Sequence, residues 1–122
     1  MMDYFYREQS EQFDNIFVPK ALVFDKDFSH LSDSAKMLYG ILLQKMGEVK
    51  EKGWFDEMNR AYLEYTLTDM SGDIGCSRHK IINCVNELEG IGLIVIDRSQ
   101  KGRANRIYVK NFARRQKLTV MD

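Results

Sequence analysis

Long apolar stretches are missing from this chain of 122 residues. No run of purely apolar side chains exceeds four, Leu93-Ile94-Val95-Ile96 being one of them, against the roughly 20 that a membrane helix needs. No membrane partner is expected. Cysteine is scarce, with only Cys76 and Cys84, which suits a reducing cytosol better than a disulfide framework. Histidine is limited to His30 and His79. The one metal-like spacing, Cys76-x-x-His79 with Cys84 nearby, therefore lacks the second Cys/His pair of a closed zinc site, and no metal or cofactor is expected. The start, Met1-Met2-Asp3-Tyr4-Phe5-Tyr6, carries an early acid and no apolar signal core, so it does not read as secretory; a cytoplasmic location is expected. The eight glycines form neither a phosphate loop nor a dinucleotide fingerprint, and no H-E-x-x-H or G-x-S-x-G occurs. Asp69 and Asp73 lie at helical spacing, which reads as a solvated helix face. Catalysis is not expected.

Net charge is absent too, but only in sum, since 18 basic and 18 acidic residues cancel. Residues 1–75 hold 8 Lys/Arg and 14 Asp/Glu, whereas residues 76–122 hold 10 and 4. The halves are electrically opposite. From Arg98 to Lys117 there are eight basic side chains (Arg98, Lys101, Arg103, Arg106, Lys110, Arg114, Arg115, Lys117) and no acidic one, which points to an anionic partner. With 44% hydrophobic and 30% charged residues, the length fits one domain with one modest core.

Periodicity supplies the elements. Phe13 to Phe24 is dense in apolar residues and broken by Pro19, which predicts an edge strand and then a short helical turn. Ser32 caps the clearest helix, with Ala35, Leu38, Tyr39, Leu42 and Met46 on one face and Gly53 beyond its end. Trp54-Phe55 and Ala61 to Tyr65 flank the polar turn Asp56 to Arg60, as in a hairpin. Thr66-Leu67-Thr68-Asp69 has capping-box spacing and opens a short helix that Gly75 ends. Ser77 caps the next, with Ile81, Cys84, Val85, Leu88 and Ile91 on one stripe before Gly92. Leu93 to Asp97 reads as a strand, Ser99 to Arg103 as a flexible basic loop, and Arg106 to Val109 as the returning strand. Helix, turn, helix and basic hairpin together predict an α+β winged helix-turn-helix, its helices packed with a small antiparallel sheet and a C-terminal hairpin wing. Residues 1–112 are the expected domain, including an N-terminal aromatic arm; residues 113–122 read as a basic tail or the start of a linker.

The apolar stripe of the Ser77 helix leaves Arg78, His79, Ile82, Asn83 and Asn86 facing outward. A helix start presents unpaired N–H groups to phosphate. Arg78 is suited to guanine, Asn83 and Asn86 to adenine, His79 and Lys80 to phosphate or base, and Ile82 to a thymine methyl. The competing reading is an ordinary solvated helix. For the wing, Lys101, Arg103 and Arg106 suit phosphates or the minor groove, against a merely soluble hairpin tip. If about five cations meet phosphates, log K falls with log salt at a slope of about −4 to −5. Cys84, on the stripe, is expected in the core.

Several segments together resemble the N-terminal domain of the RepA family of plasmid replication initiators. They are Leu31-Ser32-Asp33-Ser34-Ala35-Lys36-Met37-Leu38-Tyr39-Gly40, Asn59-Arg60-Ala61-Tyr62, Cys76-Ser77-Arg78-His79-Lys80, Glu87-Leu88-Glu89-Gly90-Ile91-Gly92-Leu93-Ile94, and Asn105-Arg106-Ile107-Tyr108-Val109-Lys110-Asn111-Phe112. The resemblance spans about Phe13 to Phe112, and the last segment is the most specific. It implies a winged helix that binds repeated double-stranded sites at a plasmid replication origin as a homodimer. By the same likeness Ser77 and Lys80 stand at the start of the recognition helix, and Asn105 and Arg106 at the base of the wing. Ile81 and Asn83 depart from the small and basic residues expected there, and Gln100-Lys101-Gly102-Arg103-Ala104 lacks a Gly-Lys-Pro wing, so base preference does not carry over. Such initiators also have a C-terminal domain that recruits host replication proteins, and this chain is expected to be a fragment without it.

The full expected DNA-binding set is Ser77, Arg78, His79, Lys80, Ile82, Asn83, Asn86, Arg98, Lys101, Arg103, Asn105, Arg106 and Lys110. The acidic half is expected to face away from DNA or toward another subunit. Its aromatic arm (Tyr4, Phe5, Tyr6, Phe13, Phe17) is a candidate dimer surface, with packing on the domain's own core as the competing reading. A winged-helix transcriptional repressor, or a winged helix that binds protein, are the alternatives.

Overall fold

A computed structural model describes residues 2, 4, 6, 7 and 14–112. The elements run α1 (Lys20–Phe24), a 3-10 turn (Lys26–Phe28), α2 (Asp33–Lys45) continuing through a 3-10 turn (Met46–Glu48) into α3 (Val49–Lys52), α4 (Leu67–Ile74), α5 (Arg78–Ile91), β1 (Ile94–Asp97) and β2 (Arg106–Val109). Among the described residues no helix is long and apolar enough to cross a membrane.

Helix α2 forms the centre for reasons visible in its sequence. Ser32 Oγ accepts from the Ala35 N–H at 3.1 Å, satisfying one orphan donor of the first turn. Ala35, Leu38, Tyr39 and Leu42 recur at helical spacing and are buried. The cap is held from outside as well: the Glu87 carboxylate on α5 accepts from the Ser32 N–H and from its hydroxyl, each at 2.7 Å. Gly40, in the helix interior, allows a close approach, because a Cβ there would lie 3.0 Å from Val18 Cγ2 and 3.1 Å from the Phe17 carbonyl oxygen.

That contact explains a departure from expectation. Residues 14–19 form no strand; the segment lies against α2 at Gly40 rather than along a sheet, and Pro19 leads directly into α1. Phe13 lies outside the described residues. The Trp54 to Tyr65 hairpin exists only as one bridge, Phe55 to Ala61, because its turn is organised by Asp56 rather than by a ladder. Leu63 pairs onward with Ile107, each N–H donating to the other's carbonyl at 2.8 and 2.9 Å, so this segment flanks β2.

The helix-turn-helix is sharply punctuated. Thr66 Oγ1 accepts from the Asp69 N–H at 3.0 Å to start α4, and Gly75 ends it at φ 74°, a left-handed conformation that glycine adopts at little steric cost. Ser77 Oγ accepts from the Lys80 N–H at 3.2 Å to start α5. Ile81, Cys84, Val85 and Leu88 face the core as expected. Ile91 does not: it is exposed, because Gly92 turns the chain immediately after it and Leu93 and Ile94 take the core positions. Strands β1 and β2 are antiparallel, with Ile94 opposite Val109, Val95 opposite Tyr108, Ile96 opposite Ile107 and Asp97 opposite Arg106. Helix-turn-helix followed by this hairpin is the winged-helix arrangement.

One core unites the elements. Leu22, Leu38, Leu42, Leu63, Leu88 and Ile94 are essentially inaccessible, and burial of each contributes about 1.5–3 kcal/mol. Phe112 stacks edge-on against Phe28 at 5.5 Å and tilts over Tyr39 at 6.1 Å. The Tyr39 hydroxyl donates to the Lys110 carbonyl at 2.9 Å, and burial pushes its pKa up to about 12. The arm does not join this core where it is described: Tyr4, Tyr6 and Phe17 are largely exposed, as is Phe24 on α1. Phe5 and residues 113–122 lie outside the described residues.

Candidate nucleic-acid interface

The outward face of α5 divides into two adjacent rows. Arg78, Ile82 and Asn86, four residues apart, border a cleft of about 500 Å³. His79 and Asn83, each one residue further round, are exposed beside that row, as is Lys80. The opposite wall of the cleft is the hairpin, through Ile96, Ile107, Arg98, Arg103 and Asn105, and the first turn of α4 closes one end with Thr66 and Thr68. Six expected residues thus meet around one hollow, and among the described residues no carboxylate lines it. Arg78 and Arg103 with two asparagines around an apolar floor can hydrogen-bond base edges and neutralise phosphates while a methyl group rests against Ile82.

Arg78 is placed by both helices. It is the first residue of α5, and its Nη1 lies 3.4 Å from Thr68 Oγ1 on α4, so the guanidinium reaches across the turn. Thr68 belongs to the acidic half of the chain. That half supplies the cleft only with uncharged side chains, while its Glu48, Glu64, Asp69 and Asp73 gather with Lys45 and Lys52 around a separate hollow. Asp73 accepts from the Tyr65 hydroxyl there at 2.8 Å, and burial followed by that bond raises the Tyr65 pKa. Asp73 is thus a structural anchor as well as a helix-face charge.

The wing loop is less free than its composition suggests. Asp97 accepts from the Ser99 N–H at 2.9 Å, the Ser99 hydroxyl at 2.6 Å and the Gln100 amide at 3.0 Å. These bonds, the Ser99 hydroxyl first, hold its carboxyl below the usual range. Gly102 turns the tip at φ 72°, and Lys101 beside it is exposed, outside the cleft. Lys101 and Arg103 make no ion pair among the described residues. An Asp followed two residues later by Ser is an Asx-turn signal, and it could have identified Asp97 in advance.

Three expected DNA contacts are already engaged or turned elsewhere. Arg98 lies at the cleft, but both its terminal nitrogens donate to the Glu89 carboxylate, at 2.9 and 3.1 Å. Arg106 lies across the strand pair from Asp97 and places its guanidinium 4.4 Å from the centre of the Tyr62 ring. Alternation along β2 puts Arg106 and Tyr108 on the side opposite Ile107, and Lys110, just past the strand, borders a different hollow with Arg60, Val95 and Tyr108. The expected DNA-binding set therefore needs correction: Arg106 and Lys110 belong to the back of the hairpin.

Asp56 organises that back side. It accepts from the Arg60 N–H and Nε at 2.8 Å each, the Met58 N–H at 2.9 Å and the Tyr108 hydroxyl at 3.0 Å. These bonds, the Arg60 N–H first, draw its pKa down to about 2. Arg60 in turn stands 5.2 Å over Tyr108. Cys84 is buried as expected and Cys76 half-buried.

Comparison with known proteins gives a consistent fold. Residues 14–122 match the family model described as the replication initiator protein A (RepA) N-terminus. A solved structure described as an N-terminal domain of a DNA binding protein superposes with a TM-score of 0.76 at 21% identity, covering 91% of this chain and 85% of its own. A Rep-DNA complex gives 0.75 at 21%, covering 89% and 84%, and an MDR initiator 0.73 at 22%, covering 96% and 98%. No curated protein matches the chain.

Proposed function

The chain belongs to the family of replication initiator protein A N-termini, and on that premise we propose that the α4–α5–hairpin cleft binds double-stranded DNA at repeated sites in a plasmid replication origin. The observation that carries this reading is the cleft itself: Arg78 and Arg103 with two asparagines, and no carboxylate among the described residues of its lining, on a helix-turn-helix. A solved Rep-DNA complex with the same fold supports it. In this reading α5 enters the major groove with Arg78, Ile82, Asn83 and Asn86 toward base edges. Ser77, His79 and Lys80 at the helix start, with Lys101, Arg103 and Asn105 on the wing, hold the phosphates.

Withdrawing Arg98, Arg106 and Lys110 from the phosphate set, with Arg78 turned to base edges, leaves about three cations, Lys80, Lys101 and Arg103. The expected slope of log K against log salt becomes about −3. We read the domain as a binding module rather than an enzyme, acting in the cytoplasm as a homodimer whose exposed aromatics (Tyr4, Tyr6, Phe17, Phe24) supply apolar contact. Recruitment of host replication proteins is assigned to parts of an initiator outside this domain.

Selection of bound duplexes from a random pool tests the reading. A recurring sequence element that also occurs as repeats in a plasmid origin is the expected result. Enrichment of promoter-like single operators would favour a repressor. No retention of any duplex at low salt would remove DNA binding altogether.

A further inference from the structure

We propose that Arg98 and Glu89 form a strut that fixes the wing against the recognition helix, so that Arg98 positions the wing and does not contact phosphate. The inference rests on the duplex-binding reading above. Glu89 lies in the last turn of α5 and Arg98 directly follows β1. Between them the chain reverses at Gly92, at φ 85°, a turn that by itself leaves the two elements joined at one corner. The guanidinium closes the open side of that corner. Its two terminal nitrogens meet the two carboxylate oxygens at 2.9 and 3.1 Å, the bidentate geometry that fixes orientation as well as distance.

The neighbouring residue completes the anchorage. Asp97 binds Ser99 and Gln100 within the loop, while Arg98 binds the helix, so adjacent residues tie the wing base in two directions. An exposed pair of this kind contributes little to global stability; its effect is on the relative placement of two surfaces that must meet DNA together. Transfer of Arg98 to a phosphate would leave the Glu89 carboxylate without its counter-charge close to the duplex. Keeping the pair closed presents a neutral group there instead.

The test uses a duplex enriched by the whole chain from a random pool, and a scrambled duplex of the same composition. Binding is measured across salt concentrations for Arg98→Ala, Glu89→Gln and the two combined. Each single variant is expected to weaken the enriched duplex by about 3- to 10-fold, and the combination no further, as coupled partners behave. The salt slope and the scrambled-duplex affinity stay as in the parent chain. Exchange of the two charges, Glu89→Arg with Arg98→Glu, restores most of the loss. If Arg98→Ala fails to fold, Glu89→Gln, nearly identical in shape, carries the comparison.

The inference is overturned if Glu89→Gln tightens both duplexes while Arg98→Ala flattens the slope by about 0.9, the mark of a phosphate contact. It is equally overturned if neither single variant changes binding to the enriched duplex. A parent chain that binds no duplex removes the functional reading as well, whereas parent binding with indifferent variants removes only the strut.

Discussion

Arginines on the two sides of the β1–β2 hairpin meet opposite surroundings. On the cleft side, Arg78 and Arg103 line a hollow that has no carboxylate among the described residues. On the back, Arg60 and Arg106 lie over the rings of Tyr108 and Tyr62, and Asp56 and Asp97 stand close by. The side-chain chemistry is identical, yet a guanidinium whose faces and donors are already occupied has little left for a phosphate. Counting basic residues therefore overstates the DNA-facing charge, and the neighbours of each one decide its role.

Substitutions on the two sides should separate accordingly. The largest effect is expected from Arg78→Ala, with a loss of about 1–3 kcal/mol in preference for the enriched duplex over a scrambled one. Its thermal midpoint should stay unchanged, as fluorescence anisotropy and calorimetry would establish. Arg103→Ala and Lys101→Ala come next. Each should weaken both duplexes alike and flatten the salt slope by about 0.9; sequence-selective loss would instead make them base readers.

The back side should answer to stability. Asp56→Asn is expected to lower the thermal midpoint at pH 7 and to leave duplex preference intact. Because the folded state draws the Asp56 pKa down to about 2, its contribution is complete above the ordinary carboxylate value of about 4. It disappears as pH falls through that value toward 2. The difference between parent and Asp56→Asn melting points should therefore shrink on acidification, and a difference that grew would assign Asp56 another role. Smallest of all, Arg106→Ala should lower the thermal midpoint only slightly through the lost Tyr62 contact, with specific binding nearly unchanged.

The elements of the domain were largely legible, because their signals are local. Ser32, Thr66 and Ser77 each cap the helix expected of them, and Gly53, Gly75 and Gly92 close helices in left-handed conformations. Of the edge strand and short helical turn read over Phe13 to Phe24, the helical turn is present as α1. The strand failed over residues 14–19 for a tertiary reason: apolar residues there serve a close approach to Gly40, which no local pattern reveals. The site was legible in part. Periodicity on α5 placed Arg78, Ile82 and Asn86 on one row, where Arg78 and Asn86 are exposed and Ile82 is half-buried. It could not show that Glu89 takes Arg98 across the Gly92 turn, or which face of β2 borders the cleft and so leaves Arg106 behind it, since both depend on packing between residues distant in sequence. Glu87 was invisible for the same reason: its partner, Ser32, lies on another helix.

The most direct measurement of the central claim is amide NMR of the whole chain titrated with an enriched duplex. Perturbations are expected at Thr66 to Thr68, along Arg78 to Asn86 and through Arg98 to Asn105, with Asp56 to Arg60 unmoved. Perturbations concentrated at Asp56 to Arg60 and Lys110, with the cleft residues silent, would contradict it and move the interface to the back of the hairpin.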